Sequence, residues 1–163
     1  METYQINNSQ DLERFKDDFG YKINGNVEFN YSPDITGRLF VDGSITAGGY
    51  IEADWYIQAG GYIEASRYIK AGEYIQAGDD YGISAGRYIT CKGTLSFGLN
   101  AYAGINTWGI ATDEEKTITC SKLLKGNVEY GILKQTGEKP DDKIEIEGKF
   151  YSISEIKAKF GEK

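Results

Sequence analysis

Apolar and polar positions repeat with a period of six over the middle of the chain. Ile45, Ile51, Ile57, Ile63, Ile69 and Ile75 keep that spacing, and after two extra residues the series resumes at Ile83, Ile89 and Leu95. Two residues after each comes a small side chain: Ala47, Ala53, Ala59, Ala65, Ala71, Ala77, Ala85 and Cys91, with Phe97 the first large exception. Between the two sits a residue that water tolerates, such as Thr46, Glu52, Gln58, Glu64, Lys70 or Gln76. Residues i and i+2 share one side of a strand, whereas no single stripe of a helix holds i, i+2 and i+6. Each hexad is therefore predicted to be a strand of about three residues followed by a bend. Gly48, Gly60, Gly72, Gly78 and Gly86 follow the small residue, where a bend favours a permissive backbone. So short a unit cannot bury its apolar side alone, but coils stacked about 4.8 Å apart can. The expected fold is all-β, a single-chain β-solenoid with three bends and about 18 residues per coil, its core made of columns of Ile and columns of Ala.

The pattern weakens toward both ends, as capping of a solenoid requires. Asn8 or Ser9 is placed to cap a short helix over residues 10–19, with Leu12, Phe15 and Phe19 on one side and Gly20 as its stop. Beyond Phe97, Ile118-Thr119-Cys120 copies Ile89-Thr90-Cys91, and the tetrad GNVE at Gly25–Glu28 returns at Gly126–Glu129. Irregular rungs are expected over 98–136. Residues 137–163 read as a turn, a strand around Ile144 and Ile146, and a helix opened by Ser152 with Ile153, Ile156 and Phe160 inward. The whole is one domain: a helical cap over 1–22, the solenoid over 23–97 with its regular hexads at 45–97, then the irregular rungs and the C-terminal strand and helix.

Composition narrows the chemistry. The chain has no His and only two Cys, Cys91 and Cys120, which stand in Ala-like slots. An imidazole base, a Ser-His-Asp triad and a His-bound metal are excluded, and two isolated Cys build neither a zinc cage nor a disulfide framework. No catalytic residue, cofactor or metal site is expected. A net charge of −7 with no basic cluster argues against direct binding of nucleic acid or an anionic membrane. No apolar run approaches the ~18 residues of a membrane span, and METYQINNSQDL lacks the features of a signal peptide. A cytoplasmic address is the simplest expectation, meaning the host cytosol for a phage-encoded chain.

Residues 45–97 resemble the hexapeptide-repeat proteins, best known as left-handed β-helix acyltransferases. The pattern departs from that family in placing the small residue two after the aliphatic one rather than two before it. The family's catalytic His also has no counterpart here. A weaker resemblance, to bactofilin-like scaffolds, implies a self-assembling solenoid. The near-perfect YIEA and YIQA hexads, behind a short N-terminal helix and ahead of CSKLLKGNVEYGIL, look like small hexapeptide-like β-solenoid proteins of phages and prophages. That resemblance implies a non-enzymatic interaction protein that binds a host protein. Its most concrete form is an inhibitor of a nucleic-acid-targeting defence, anti-CRISPR-like, with self-assembly as the alternative.

Candidate contact residues follow from the repeat. Tyr50, Tyr56, Tyr62, Tyr68 and Tyr74 precede the Ile positions and form vertical columns in a solenoid, either as stacked ladders that stabilise the wall or as a protein-binding face. At an 18-residue pitch Tyr50 stacks with Tyr68, Tyr56 with Tyr74, and Tyr62 falls near Tyr81. Trp55 sits in a bend, where a large ring has no core to enter. Asp79 and Asp80 interrupt the series and are read as a tolerated bulge or as an acidic knuckle that meets a partner's Arg or Lys. Trp108 lies in residues 98–112, where the repeat is lost, and is either a buried rung residue or part of a functional loop.

Overall fold

The computed structural model describes residues 1–137 together with the strands Ile144–Ile146 and Lys149–Tyr151. The chain coils into a β-solenoid of about six turns with three faces. On the first face lie Thr3–Ile6, Asn26–Phe29, Ile45–Ala47, Ile63–Ala65 and Ile83–Ala85. The second carries Asp34–Ile35, Ile51–Ala53, Ile69–Ala71, Ile89–Cys91, Thr117–Cys120 and Ile132–Gln135. The third carries Gly20–Ile23, Arg38–Val41, Ile57–Ala59 and Ile75–Gln76. The ten-residue strand Thr94–Ala103 turns the corner from the third face to the first, pairing Leu95 with Ile75 and Ala101 with Ile83.

Neighbouring rungs are parallel and in register. Ile63 pairs with Ile45, and Ile69 with Ile51, one coil of 18 residues apart. Each central Ile N–H finds its acceptor on the next coil: Ile45 N donates to the Tyr62 carbonyl at 2.9 Å and Ile51 N to that of Tyr68 at 2.9 Å. Asp79 and Asp80 stretch one coil to 20 residues, so Ile63 pairs with Ile83 and Ile69 with Ile89. The register survives because the extra residues bulge at a corner, closed by the Tyr81 N–H on the Gly78 carbonyl at 3.1 Å.

The inward columns are the predicted ones. Every Ile of the regular series is fully buried and every Ala is buried, as are both Cys. Larger residues occupy the Ala slots where the regular coils end. Phe29 lies beneath Ala47, Ile35 beneath Ala53 and Val41 beneath Ala59, while Phe97 continues the Ala59 and Ala77 column upward. The two GNVE tetrads serve opposite ends of the first face: Val27 pairs with Ile45, and Val128 of the strand Lys122–Tyr130 pairs with Ala101.

Two expectations are corrected. The helix over 10–19 is in fact one α-turn, Ser9–Leu12, and one 3₁₀ turn, Glu13–Phe15. Asn8 does cap it, its side-chain oxygen accepting from the Asp11 N–H at 3.0 Å. Leu12 is buried and Phe15 packs on Tyr4, but Phe19 is exposed. The helix stops because Asp17 is drawn to Arg38 at 2.6 Å and accepts the Phe19 N–H at 2.9 Å, turning the chain into an antiparallel hairpin, Lys16–Asp17 on Gly20–Ile23. Gly20 is a strand residue at φ +139°, and a Cβ there would stand 2.4 Å from the Arg38 carbonyl oxygen. The bend glycines also have a different reason from the expected one. Gly60, Gly72, Gly78 and Gly86 have no left-handed backbone; at Gly60 a Cβ would lie 2.1 Å from the Asp42 carbonyl and at Gly86 2.0 Å from that of Ser66. They are small because the rung beneath comes too close. Toward the C-terminus, the strand expected around Ile144 and Ile146 is present and pairs antiparallel with Lys149–Tyr151. The helix expected from Ser152 lies outside the described residues.

Candidate functional site

The corners, not the faces, hold the residues of interest, and the Tyr columns behave differently at each. Between the first and second faces Tyr50, Tyr68 and Tyr88 form a stacked ladder, with ring centroids 4.7 Å and 4.8 Å apart and planes within 2° and 9° of parallel. Between the second and third, Tyr56 stacks on Tyr74 at 4.4 Å and 10°. These separations are close to the spacing of adjacent strands, so the backbone dictates the ladder and each ring shields the next. Polar ties hold the rims: Arg38 Nη1 donates to the Tyr56 hydroxyl at 3.0 Å, and the Tyr68 hydroxyl donates to Glu52, which also pairs with Lys70. Burial pushes the Tyr68 and Tyr74 phenols up to about 12.

The third corner has no ladder. Tyr62 stands alone between Ser44 beneath and Gly82 above, because the 20-residue coil pairs Ile63 with Ile83 and so sets Gly82, not Tyr81, over Tyr62. Tyr81 thus falls one residue off the column, near Tyr62 but not stacked on it, and the Tyr62 side chain is 40% exposed. Asp79, Asp80 and Tyr81 bulge beside it, exposed. Asp79 already has a cation, Lys125 Nζ at 2.8 Å, which holds its carboxyl below the usual range. The knuckle therefore meets a Lys of its own chain.

The two Trp are both on the surface. Trp55 projects from the second corner, 44% exposed, beside the Tyr56–Tyr74 ladder. Trp108 is 59% exposed, which excludes the buried-rung alternative. It belongs to a loop between Ala103 and Thr117 that also turns out Ile105 and, fully exposed, Ile110. The base of this loop is anchored. Asn106 Nδ2 donates to the Gly86 carbonyl at 3.1 Å, and the Asn106 side-chain oxygen takes the Gly109 N–H at 3.1 Å. Thr112 and Glu115 bond each other's backbone N–H at 3.3 and 3.1 Å, and Arg87 pairs with Glu115 at 3.6 Å. Leu99, Leu124 and Tyr130, also exposed, lie on strands of the same end of the solenoid.

The nine candidate residues therefore divide among three corners and a loop rather than forming one patch. Tyr50, Tyr56, Tyr68 and Tyr74 are half-buried ladder members; Trp55, Tyr62, Trp108 and the acidic bulge are presented to water. Sequence reasoning missed Ile105 and Ile110. The lost repeat over 98–112 marked their loop, but their outward orientation depends on anchors at Gly86 and Arg87, a coil away in sequence. The Cys pair occupies consecutive rungs of the second face, where burial pushes the Cys91 thiol up to about 12 and raises that of Cys120. Neither is an activated nucleophile. Among the described residues no helix is long and apolar enough to cross a membrane, and no three His, Cys, Asp or Glu side chains converge as metal ligands.

The fold and its corners define the class: a parallel, three-faced β-solenoid with aromatic corners. Comparison with protein-family models, with curated proteins and with solved structures returned no match.

Proposed function

We propose that this solenoid is a non-enzymatic binding protein whose partner is another protein, with the loop between Ala103 and Thr117 as its principal contact. The observation that carries this reading is the outward display of Ile105, Trp108 and Ile110 from a loop tied down at its base. Large apolar side chains held in water at a fixed geometry are the usual make-up of an interface hot spot, since little ordering remains for the encounter. Trp55 and Asp80, the bulge acid with no ion-pair partner among the described residues, form secondary contacts. The sharper form, an inhibitor of a host nucleic-acid-targeting defence, draws its support from the resemblance to small phage proteins.

The test is affinity capture from a bacterial lysate with the intact chain, paired with Trp108→Ala and Ile110→Asp. One host protein is expected with the parent and is lost with either variant while circular dichroism is unchanged. Retention of nothing, or retention unaffected by both variants, defeats the reading. In cells carrying an active nuclease-based defence, expression of the chain should restore infection by a targeted phage. Unrestored infection would remove the inhibitor form.

Self-assembly is the competing reading. At the N-terminal end Leu12 is buried in the core and Phe15 packs against it, covering part of the first rung. Light scattering across concentration separates the two: filaments favour a scaffold, a constant small species the binder.

A further inference from the structure

The Tyr62 corner is built unlike the other two. Tyr62 lines two open clefts, and among the described residues no ring stacks on it. One, of about 470 Å³, is lined by Thr3, Asn26, Glu28, Ser44, Thr46 and Tyr62 itself. The other, of about 180 Å³, is lined by Tyr62, Glu64, Gly82, Asn100, Tyr102 and the paired Ile63 and Ile83. The second cleft is enforced by the backbone. The strand Thr94–Ala103 rounds this corner so closely that a Cβ on Gly82 would meet the Asn100 carbonyl oxygen at 2.3 Å, so no ladder ring fits there. The first is held open by short polar side chains that bond the backbone: Asn26 Oδ1 takes the Ser44 N–H at 2.9 Å and Ser44 Oγ the Tyr62 N–H at 3.3 Å.

Each cleft carries one carboxylate, Glu28 or Glu64. Among the described residues neither is paired with a Lys or Arg, whereas Glu52 on the second face is neutralised by Lys70. Nor does any cation of the described chain lie over the Tyr62 ring, although Arg14 lies over Phe15 at 4.7 Å and Arg38 over Phe19 at 5.3 Å. The site thus offers a flat π-face and, lining the same clefts, a carboxylate: Glu64, or Glu28, to which Gln5 Nε2 already donates at 2.6 Å. A phosphate-bearing nucleobase is repelled by Glu28 and Glu64 within a chain of net charge −7. An apolar group would desolvate Glu28 or Glu64 without giving either carboxylate a partner. A guanidinium matches both features, since it stacks on tyrosine and presents a planar fork of donors to a carboxylate, and its weak hydration lowers the cost of entering the cleft.

We propose that the Tyr62 corner is an arginine-binding site, taking an Arg side chain of the partner protein onto the Tyr62 ring with Glu64 or Glu28 as its counter-ion. This rests on the reading of the chain as a protein-binding solenoid and names the partner's side chain at one of its contacts.

The test uses the full chain, isotope-labelled, titrated with the peptide Ac-Gly-Arg-Gly-NH2 and separately with its Lys analogue and with a neutral disaccharide. Tyr62→Phe assigns the Tyr62 ring signals. The Arg peptide is expected to shift those signals and the Gly82 and Ser44 amides, leaving the Tyr50–Tyr68–Tyr88 ladder still. The Lys peptide should bind at least about threefold more weakly. Glu64→Gln and Tyr62→Ala should each weaken the Arg peptide by about two- to fivefold, the first effect shrinking in high salt. Equal binding of the Lys peptide, preference for the disaccharide, or no shift at Tyr62 overturns the proposal. The two readings fail separately. A captured host protein indifferent to Tyr62→Ala and Glu64→Gln sinks the arginine site and spares the binding function. An Arg-selective Tyr62 without any captured partner does the reverse.

Discussion

Replacing Ile63 by Ala probes the column architecture most directly. Ile63 is fully buried on the first face between Ile45 and Ile83. The substitution removes three carbons, and at about 0.8 kcal/mol each their transfer alone comes to about 2.4 kcal/mol. In a liquid-like core the neighbours would then close the gap. Here they cannot, because each is pinned by the ladder: Ile45 N donates to the Tyr62 carbonyl at 2.9 Å and Ile63 N to that of Gly82 at 3.3 Å. The residual cavity therefore adds its own term, and a total of about 3–4 kcal/mol is expected. That is a large share of a total stability on the order of 5–15 kcal/mol. Equilibrium urea denaturation followed by circular dichroism measures it, with a lower midpoint and an unchanged slope as the expected result. Glu64→Ala, one residue along and exposed, should stay within about 0.5 kcal/mol of the parent. A cost for Ile63→Ala below about 1 kcal/mol, or an equal cost for the two variants, would refute a rigid inward Ile column.

Gly126→Ala should cost about 1–3 kcal/mol, read as a lower melting temperature, because its Cβ would stand 2.2 Å from the buried Phe97 ring at a backbone φ of +104°. Alkaline pH should destabilise the fold. Tyr68 and Tyr74 ionise at about 12 when folded but at their ordinary value of 10.0 when unfolded, so stability is complete below pH 10 and falls as pH climbs from there toward 12. Denaturation midpoints at pH 9, 10 and 11, with phenolate absorbance alongside, check this. The Cys91 thiol, buried and raised to about 12, should resist a thiol-specific reagent until the protein unfolds. Arg38→Met should loosen the Lys16–Ile23 hairpin, seen as faster amide exchange at Tyr21–Ile23, since it removes the Asp17 ion pair and the bond to the Tyr56 hydroxyl.

The solenoid was legible in the sequence because the inward side chains repeat without error from Ile45 to Ile75, and a strand's two-residue alternation leaves one way to bury Ile and Ala together. The Tyr50–Tyr68 and Tyr56–Tyr74 stacks followed from the same arithmetic, whereas the rung that aligns Ile118 with Ile89 was marked only by its repeated Ile-Thr-Cys. Where the period failed, local pattern misled. Leu12, Phe15 and Phe19 look like one side of a helix, but the pull of Arg38 on Asp17, across 21 residues, ends that helix early. The candidate sites were legible as residue types and not as places. Tyr62 reads like any other Tyr of the series. Only the stacking of coils sets Gly82 above it and Ser44 below, leaving an unstacked ring between two clefts. Likewise, only the tertiary structure turns Ile105, Trp108 and Ile110 outward, because the bonds that decide it run to Gly86 and Arg87 on the preceding coil. The repeat alone determined which residues face inward, since burial depends on alternation along one strand. What the surface presents depended on which coil lies over which, and two inserted residues were enough to change that.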